Sequence, residues 1–346
     1  MQWCGMAPGH DIYCIGQPLL DIQVQVSEEA LASLEKYPKG ARSLVSTEEL
    51  QEALDSPAVR GTQRTISAGG AAANTTFGFV SMGGSAALTG KLGADEHAAA
   101  ALADMQAQGV DVLGGGNGAG NTGVCLSLAT PDAERTMLTS LGVSGELEIA
   151  DIDWNALRGA KCVLVELYLW AVPAAANAAE AVIEEAARGE TMVALTLADA
   201  GMVTLHRSAV LGLLRHVDIL LGNEAEALAL FGLPTTRECV EEAAKTCGRV
   251  VVTLGAEGAL VAEFGRPAVL VPAMKGVTAV DTTGCGDIFA AGVLHGLLCR
   301  DLSLPAAAHV GAAAAACVAS RLGPRLSREE AERLGRGLSV VGAASL

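Results

Sequence analysis

Residues 281–287 have the sequence Asp-Thr-Thr-Gly-Cys-Gly-Asp and lead directly into an apolar stretch typical of a buried helix. Small residues at the start of a helix leave backbone N–H groups uncovered, and these groups bind anions together with the helix dipole. Asp287, at or near the N-cap of this helix, could accept a proton from a substrate hydroxyl beside such an anion site. The pattern is therefore typical of phosphoryl transfer to an alcohol. The N–H groups that would stabilise the developing charge belong to Gly284, Cys285 and Gly286.

An ordinary structural explanation competes with this one. An isolated Gly-x-Gly-Asp would more often be a capping Asp after a tight glycine turn. The longer spacing Asp-Thr-x-Gly-x-Gly-Asp, opening a helix of small residues, is far more specific. Residues 118–123 also read Gly-x-Gly-x-x-Gly, but they precede a strand, so they lack the strand-to-helix context of a dinucleotide-binding fingerprint.

The elements that would position these residues alternate along the chain. From residue 69 onward, apolar strands are followed by turns and alanine-rich helices, which predicts βαβ units and a mostly parallel central sheet. Strands are expected at 11–16, 86–88, 162–167, 192–197, 219–221, 250–253 and 258–261. Helices are expected at 95–108, 173–188, 224–231, 236–246, 287–298 and 304–320.

A smaller β-sheet is expected outside the main sheet. Residues 19–26 form one predicted strand, and 123–128 is another strand candidate. After the glycine-rich loop 114–123, residues 124–129 and 135–139 suggest a hairpin. Segments 17–66 and 114–142 would together form a lid inserted in a single domain that spans residues 1–346. Most of the first segment, residues 38–66, is polar and mixed, and we expect it to be peripheral.

Composition restricts the partners and the compartment. Of the 346 residues, 51% are hydrophobic and only 3% aromatic, which suits helices packed on a parallel sheet. The net charge of −16 argues against nucleic acid or an anionic membrane as a partner. Because this negative charge repels anions, any anionic substrate must be held by local groups. The nine cysteines are scattered, with neither a zinc-site spacing nor a disulfide framework, and no signal peptide is evident, so we expect a cytoplasmic protein.

Four further segments, in order along the chain, accompany residues 281–287. They read Gly-Gln-Pro-Leu-Leu-Asp-Ile at 16–22, Gly-Gly-Ala-Ala-Ala-Asn at 69–74, Asn-Glu-Ala-Glu at 223–226, and Thr-Leu-Gly-Ala-Glu-Gly at 253–258. Because these segments occur in this order, the chain resembles the PfkB (ribokinase-like) family of carbohydrate and nucleoside kinases over nearly its whole length. The resemblance implies a three-layer α/β/α sandwich with a β-sheet lid. It also implies ATP as co-substrate, Mg²⁺, a candidate K⁺ site, and a nucleoside or sugar as the small-molecule substrate.

The resemblance also assigns roles to individual residues. Asp287 would be the general base, and residues 284–286 the anion hole. Residues that would contact the substrate are Asp21, Gly69, Gly70 and Asn74. Residues that would serve ATP and Mg²⁺ are Asn223, Glu226, Thr253, Gly255, Gly258 and the lid residue Arg135. Residues that would order a monovalent cation are Asp281 and Thr283.

Each of these matches has a plainer alternative. Asp21 could be a solvated edge residue, although an acid there interrupts a good strand. Gly69 and Gly70 could simply form a turn. Asn223 and Glu226 fit a helix N-cap with a first-turn acid equally well. Arg135 could be a surface cation.

Within the family, residues 16–22 look most similar to the adenosine kinase branch, and Tyr168 falls where an aromatic ring stacks on the purine there. Tyr168 could equally be a tyrosine at the edge of the core. Gln17 replaces an Asn that helps to recognise adenine, and residues 166–170 and 196–199 resemble a bacterial-type subgroup. A sugar kinase of the fructokinase or ribokinase type is therefore the alternative, and a non-catalytic regulatory protein is the alternative outside the class. The sequence fits either a monomer or a homodimer.

Overall fold

The computed structural model describes residues 9–34, 36–114, 118–132, 134–321 and 323–337, which form fourteen strands and twelve α-helices. The strands are β1 (Ile12–Ile15), β2 (Leu19–Gln25), β3 (Arg42–Leu44), β4 (Arg64–Gly69), β5 (Ala86–Thr89), β6 (Asp111–Val112), β7 (Val124–Ala129), β8 (Arg135–Ser140), β9 (Cys162–Glu166), β10 (Met192–Thr196), β11 (Ile219–Asn223), β12 (Arg249–Thr253), β13 (Ala259–Glu263) and β14 (Val269–Val271). The helices are α1 (Glu28–Ala32), α2 (Thr47–Asp55), α3 (Ala71–Ser81), α4 (Glu96–Ala107), α5 (Trp154–Gly159), α6 (Pro173–Arg188), α7 (Ala200–Leu213), α8 (Glu224–Phe231), α9 (Thr236–Ala243), α10 (Cys285–Leu298), α11 (Leu304–Ala319) and α12 (Arg328–Gly335).

The main sheet has nine strands in the order β14-β13-β12-β11-β10-β9-β1-β5-β6. The strands β12, β11, β10, β9, β1, β5 and β6 are all parallel, and β13 and β14 add an antiparallel edge. Parallel strands end at the same side of a sheet, and ligands of open α/β sheets bind there. The carboxyl ends of β9 to β12 therefore meet at one edge of the layer.

Helices cover the two faces of the main sheet. Because side chains alternate along a strand, Ile12 and Cys14 face one core while Tyr13 and Ile15 face the other. Helices α3, α10 and α11 pack on the first face, and α5 to α9 pack on the second. The three-layer ribokinase-like α/β fold expected from the sequence is thus confirmed. Among the described helices, none has both the length and the apolar composition that crossing a bilayer requires.

The second sheet has five strands in the order β3-β8-β7-β2-β4. One of its faces carries Leu20, Ile22 and Val24, which share a core with Leu31 of α1 and Leu50 of α2. The opposite face carries Asp21 and Gln23, which line a cavity between the two sheets. The predicted hairpin is present as the antiparallel pair β7–β8. Residues 115–117 of the predicted glycine-rich loop lie outside the described residues.

Several predicted elements have the predicted bounds, and others need correction. Helices α6 and α8 begin and end where the sequence predicts. The helix predicted from Asp287 begins two residues earlier, at Cys285, with Gly284 as N-cap, so Asp287 is its third residue. Residues 38–66, expected to be peripheral, contain β3, α2 and the first half of β4, and β3 brings Arg42 to the cavity between the two sheets. Helix α7 was not predicted.

Candidate active site

The cavity between the two sheets has a volume of about 620 Å³. The carboxyl ends of the main-sheet strands form its floor, through Glu166, Thr196, Asn223 and Thr253. The inner face of the second sheet forms its roof. The cavity also reaches the amino ends of α3 and α10, where Asn74 and Asp287 lie. Segments far apart in the chain therefore contribute to a single site.

Asp287 is held at the start of α10 by a turn that requires glycine. Gly284 has a φ of +69°, which L side chains rarely adopt, and a Cβ there would lie 2.3 Å from Pro324 Cβ. The following amides of Gly286 and Asp287 belong to the first turn of α10, where helices lack internal acceptors. The amides of Gly284, Gly286 and Asp287 have no acceptor among the described residues, so these three are the donors available to an anion. The Cys285 amide, assigned to the anion hole from the sequence, instead donates to the Thr282 carbonyl over 3.2 Å.

The Asp287 carboxyl is hydrogen-bonded to Asn74 and is influenced by three other acidic side chains. Burial raises the pKa of Asp287 to about 7, and the Asn74 hydrogen bond opposes that rise, while Glu166, Asp21 and Glu226 add to it. Asn74 donates from Nδ2 to Asp287 Oδ2 over 3.1 Å. The Asn74 Oδ1 atom is buried and has no partner among the described residues. A carboxyl with a pKa near neutrality is suited to general-base chemistry.

The substrate-binding strand proposed from the sequence lies on the cavity roof. Asp21 is on β2, and a Cβ at Gly69 on the neighbouring β4 would lie 2.0 Å from Asp21 Oδ2, so a side chain at residue 69 would displace the carboxylate. Burial raises the pKa of Asp21 to about 6, with Arg325 and Arg42 opposing the shift. Gly70, the N-cap of α3, also lines the cavity.

Glu166 lines the cavity, but no motif in the sequence assigns it a role. It is buried at the end of β9. Its two carboxylate oxygens accept hydrogen bonds from the backbone amide of Gln17 over 2.6 Å and from the backbone amide of Ala72 over 2.7 Å. It therefore joins the β1–β2 turn to the start of α3. Burial raises the pKa of Glu166 to about 7. An acid that ends an apolar strand was the sequence signal that could have found it.

Asn223 and Glu226 form a capping box at the start of α8. The backbone amide of Asn223 donates to Glu226 Oε2 over 2.8 Å, and the backbone amide of Glu226 donates to Asn223 Oδ1 over 3.0 Å. The helix-cap alternative is therefore realised, but the two residues also line the cavity. Burial raises the pKa of Glu226 to about 7. Thr253 lines the cavity at the end of β12, and Gly255 and Gly258 lie in the turn beyond it.

Arg135 reaches from β8 to the loop that precedes α10. Its Nη2 atom lies 2.7 Å from Asp281 Oδ2, and both side chains are largely buried. Asp281 also accepts hydrogen bonds from the amides of Thr283 and Gly323, each over 2.8 Å. Asp281, one of the two residues proposed to order a cation, is thus already engaged by an arginine. Arg135 is not a surface cation.

Tyr168 also lines the cavity, on the short turn Leu167–Ala171 that follows β9. The guanidinium carbon of Arg42 lies 4.0 Å from the centre of the Tyr168 ring. Arg42 is on β3 and lines the cavity, although the sequence gave no signal for it within a polar segment. Gln17 also lines this cavity and is buried.

The cavity offers acids suited to a hydrated divalent cation rather than a closed metal site. Within the described residues, no group of three or more His, Cys, Asp or Glu side chains could hold a metal ion. Mg²⁺ usually keeps several waters and uses one or two carboxylates together with substrate phosphates. Glu226 lines the cavity, and both of its carboxylate oxygens accept hydrogen bonds from Asn223, so it suits an ion held through water rather than by direct coordination.

Comparisons with known proteins identify the family of this chain. Residues 42–331 match the family described as pfkB family carbohydrate kinase. A probable sugar kinase protein from Rhizobium etli CFN 42 is 31% identical, with a TM-score of 0.86 over 96% of this chain and 99% of its own. Adenosine kinase from Sinorhizobium meliloti is also 31% identical, with a TM-score of 0.86 over 95% of this chain and 99% of its own.

Among relatives compared by sequence, an adenosine kinase from Schizophyllum commune is 27% identical over 311 residues, which cover 84% of this chain and 89% of its own. The family match extends from β3 on the cavity roof to α12, beyond the helix that bears Asp287. The chain therefore belongs to the pfkB family of carbohydrate kinases, in its adenosine kinase-like branch, and is a phosphotransferase whose acceptor is an alcohol group.

Proposed function

We propose that this enzyme transfers the γ-phosphoryl group of ATP to the 5′-hydroxymethyl group of a purine nucleoside, as in the conversion of adenosine and ATP to AMP and ADP. The observation that carries the proposal is the hydrogen bond between Asn74 and Asp287 in a cavity shared with Asp21 and Tyr168. That arrangement brings together the proposed base, the proposed sugar-binding groups and an aromatic ring. The similarity to two adenosine kinases supports the nucleoside as acceptor.

In the proposed reaction, Asp287 accepts the proton of the 5′-hydroxyl as its oxygen forms a bond to the γ-phosphorus. The bond between that phosphorus and the bridging oxygen of ADP breaks, and ADP leaves. The free amides of Gly286 and Asp287 stabilise the negative charge on the transferred group. Arg135 moves from Asp281 toward the phosphates, since it lines the same cavity.

Asp21 and Asn74 position the sugar. Carboxylate and amide oxygens accept hydrogen bonds from sugar hydroxyls, and the unpartnered Asn74 Oδ1 needs such a donor. Glu226 would hold Mg²⁺ through water, and the ion would neutralise phosphate charge. Asp281 and Thr283 remain a proposed monovalent-cation site, with K⁺ as the candidate ion.

A sugar kinase of the fructokinase or ribokinase type is the second candidate. The similarity to a probable sugar kinase protein favours it, and Arg42 over the Tyr168 ring restricts the face on which a base could stack. Both candidates use the same base and anion site, so catalytic variants do not separate them. The acceptor must be varied instead.

A panel of acceptors tests the proposal directly. The purified protein is incubated with ATP and Mg²⁺ and with adenosine, inosine, ribose or fructose, and ADP formation is measured. We expect kcat/KM for at least one purine nucleoside to exceed that for either sugar by at least a hundredfold. Turnover of fructose or ribose but no nucleoside would select the sugar kinase. No turnover with any acceptor, and identical behaviour of Asp287→Asn, would favour a non-catalytic protein.

A further inference from the structure

Arg42 is fixed in the cavity by contacts on several sides. Its guanidinium carbon lies 4.0 Å from the centre of the Tyr168 ring. Its Nε atom donates to Thr139 Oγ1 over 3.3 Å, and its Nη1 atom lies 3.8 Å from Asp199 Oδ2. Only 20% of the side chain is exposed. Arginine stacks on aromatic faces and presents several N–H donors in a planar fork, so the cavity contains a preorganised donor group.

Gln17 adds a second donor to the cavity. Its Nε2 atom is buried without a hydrogen-bond partner among the described residues, and the residue lines the same cavity as Arg42. A buried amide without a partner is costly, which favours a ligand that supplies an acceptor. Arg42 lies beside Tyr168, and Gln17 lies in the β1–β2 turn, where its backbone amide donates to Glu166. Hydrogen-bond donors are therefore available in the cavity to a base that lies near Tyr168.

We propose that Arg42 determines base specificity and makes the enzyme prefer 6-oxopurine nucleosides, such as inosine and guanosine, over adenosine. This inference rests on the proposed function and names the substrate class within it. Arginine pairs in a bidentate manner with the acceptors O6 and N7 of a 6-oxopurine, whereas adenine presents an N6 amino donor beside N7. The N6 amino group would face the guanidinium donors without forming a hydrogen bond.

The alternative is that Arg42 only holds the lid closed. Its contacts with Tyr168 and Asp199 join the second sheet to the body of the protein, so its loss would weaken the closed state. A lid role would affect all nucleosides equally, because they share the same ribose. A role in base recognition would change their relative rates. The ratio of kcat/KM values therefore separates the two roles.

The experiment compares wild type with Arg42→Met and Arg42→Gln, using inosine, guanosine and adenosine with saturating MgATP. We expect wild type to favour the 6-oxopurines about tenfold, and Arg42→Met to remove that preference. Arg42→Gln should reverse it, because glutamine pairs with N6 and N7 of adenine. Arg60→Met serves as matched control, because Arg60 is an exposed arginine in the same lid segment.

The outcomes are distinct from those that test the proposed function. Equal losses for all three nucleosides in Arg42→Met, or a wild-type preference for adenosine that Arg42→Gln leaves unchanged, would overturn the specificity role. Absence of turnover with every nucleoside in wild type, with sugars phosphorylated, would instead overturn the nucleoside kinase itself. Direct binding of each nucleoside without ATP, measured by calorimetry, should show the same order of preference as turnover.

Discussion

Asn74 Nδ2 donates a hydrogen bond to Asp287 Oδ2 over 3.1 Å, and so joins the amino end of α3 to the amino end of α10. The bond stabilises the ionised form of the carboxyl, which burial and three neighbouring acids disfavour. Asn74 is therefore a positioning residue in our account, and its Oδ1 atom is left for the substrate. The geometry of the proposed base depends on a residue that is more than two hundred positions away in the sequence.

Replacing Asn74 should change both rate and pH dependence. In Asn74→Ala the pKa of Asp287 rises further, because the hydrogen bond that lowers it is lost. We expect kcat/KM to fall by roughly one to two orders of magnitude, as for other misplaced proton-transfer groups, and the acidic limb of the pH profile to move to higher pH. The exposed Asn155→Ala is the control. An unchanged acidic limb would mean that Asn74 does not act on Asp287.

The wild-type pH profile should itself report Asp287. A general base must be ionised, and burial raises the pKa of this carboxyl to about 7. Activity should therefore rise as pH increases through about 7 and level off above it. Initial rates between pH 5 and 9, at saturating ATP, measure this limb. A profile already flat at pH 5 would contradict the raised pKa.

Removing the Asp287 charge should stabilise the fold while it abolishes activity. Because the pKa of Asp287 is raised in the folded state, ionising this carboxyl lowers the free energy of unfolding. This loss is complete above about pH 7 and disappears as pH falls toward 4. We expect Asp287→Asn to increase the free energy of unfolding by about 2 kcal/mol at pH 8, and by less at pH 5. Urea denaturation at the two pH values measures the difference.

The exposed acid Glu52 provides the control for that stability measurement. Glu52→Gln should change the free energy of unfolding by less than about 0.5 kcal/mol, because exposed substitutions away from special contacts have little effect. If Asp287→Asn destabilised the protein at pH 8, the carboxyl would be better accommodated in the folded state than the raised pKa indicates.

The ion pair between Arg135 and Asp281 should contribute to stability and to the anion site. Asp281→Asn leaves a largely buried arginine without its charged partner, which should cost about 3 kcal/mol. It also weakens the anchor of the loop before Gly284, so kcat should fall at least tenfold. Glu242→Gln, which breaks the exposed pair with Lys245, is the matched control and should have little effect. Equal effects of the two substitutions would refute a special role for Asp281.

The sequence predicted the motif residues better than it predicted their surroundings. Asp287, Asn74 and Asp21 lie in conspicuous local patterns, and the alternation of strands and helices predicted the parallel sheet that forms the floor of their shared cavity. Arg42 could not be found in this way, because its contact with Tyr168 joins residues that are far apart in the sequence. Likewise, the Cys285 amide looked free in the sequence, but the turn geometry directs it to Thr282.

Phosphoryl transfer by Asp287→Asn is the most direct test of the central claim. The measurement is kcat with the preferred nucleoside, together with the Kd for ATP of the same variant. We predict a fall in kcat of about a thousandfold, with a Kd for ATP within threefold of wild type. A variant that retains wild-type kcat would show that Asp287 is not the base.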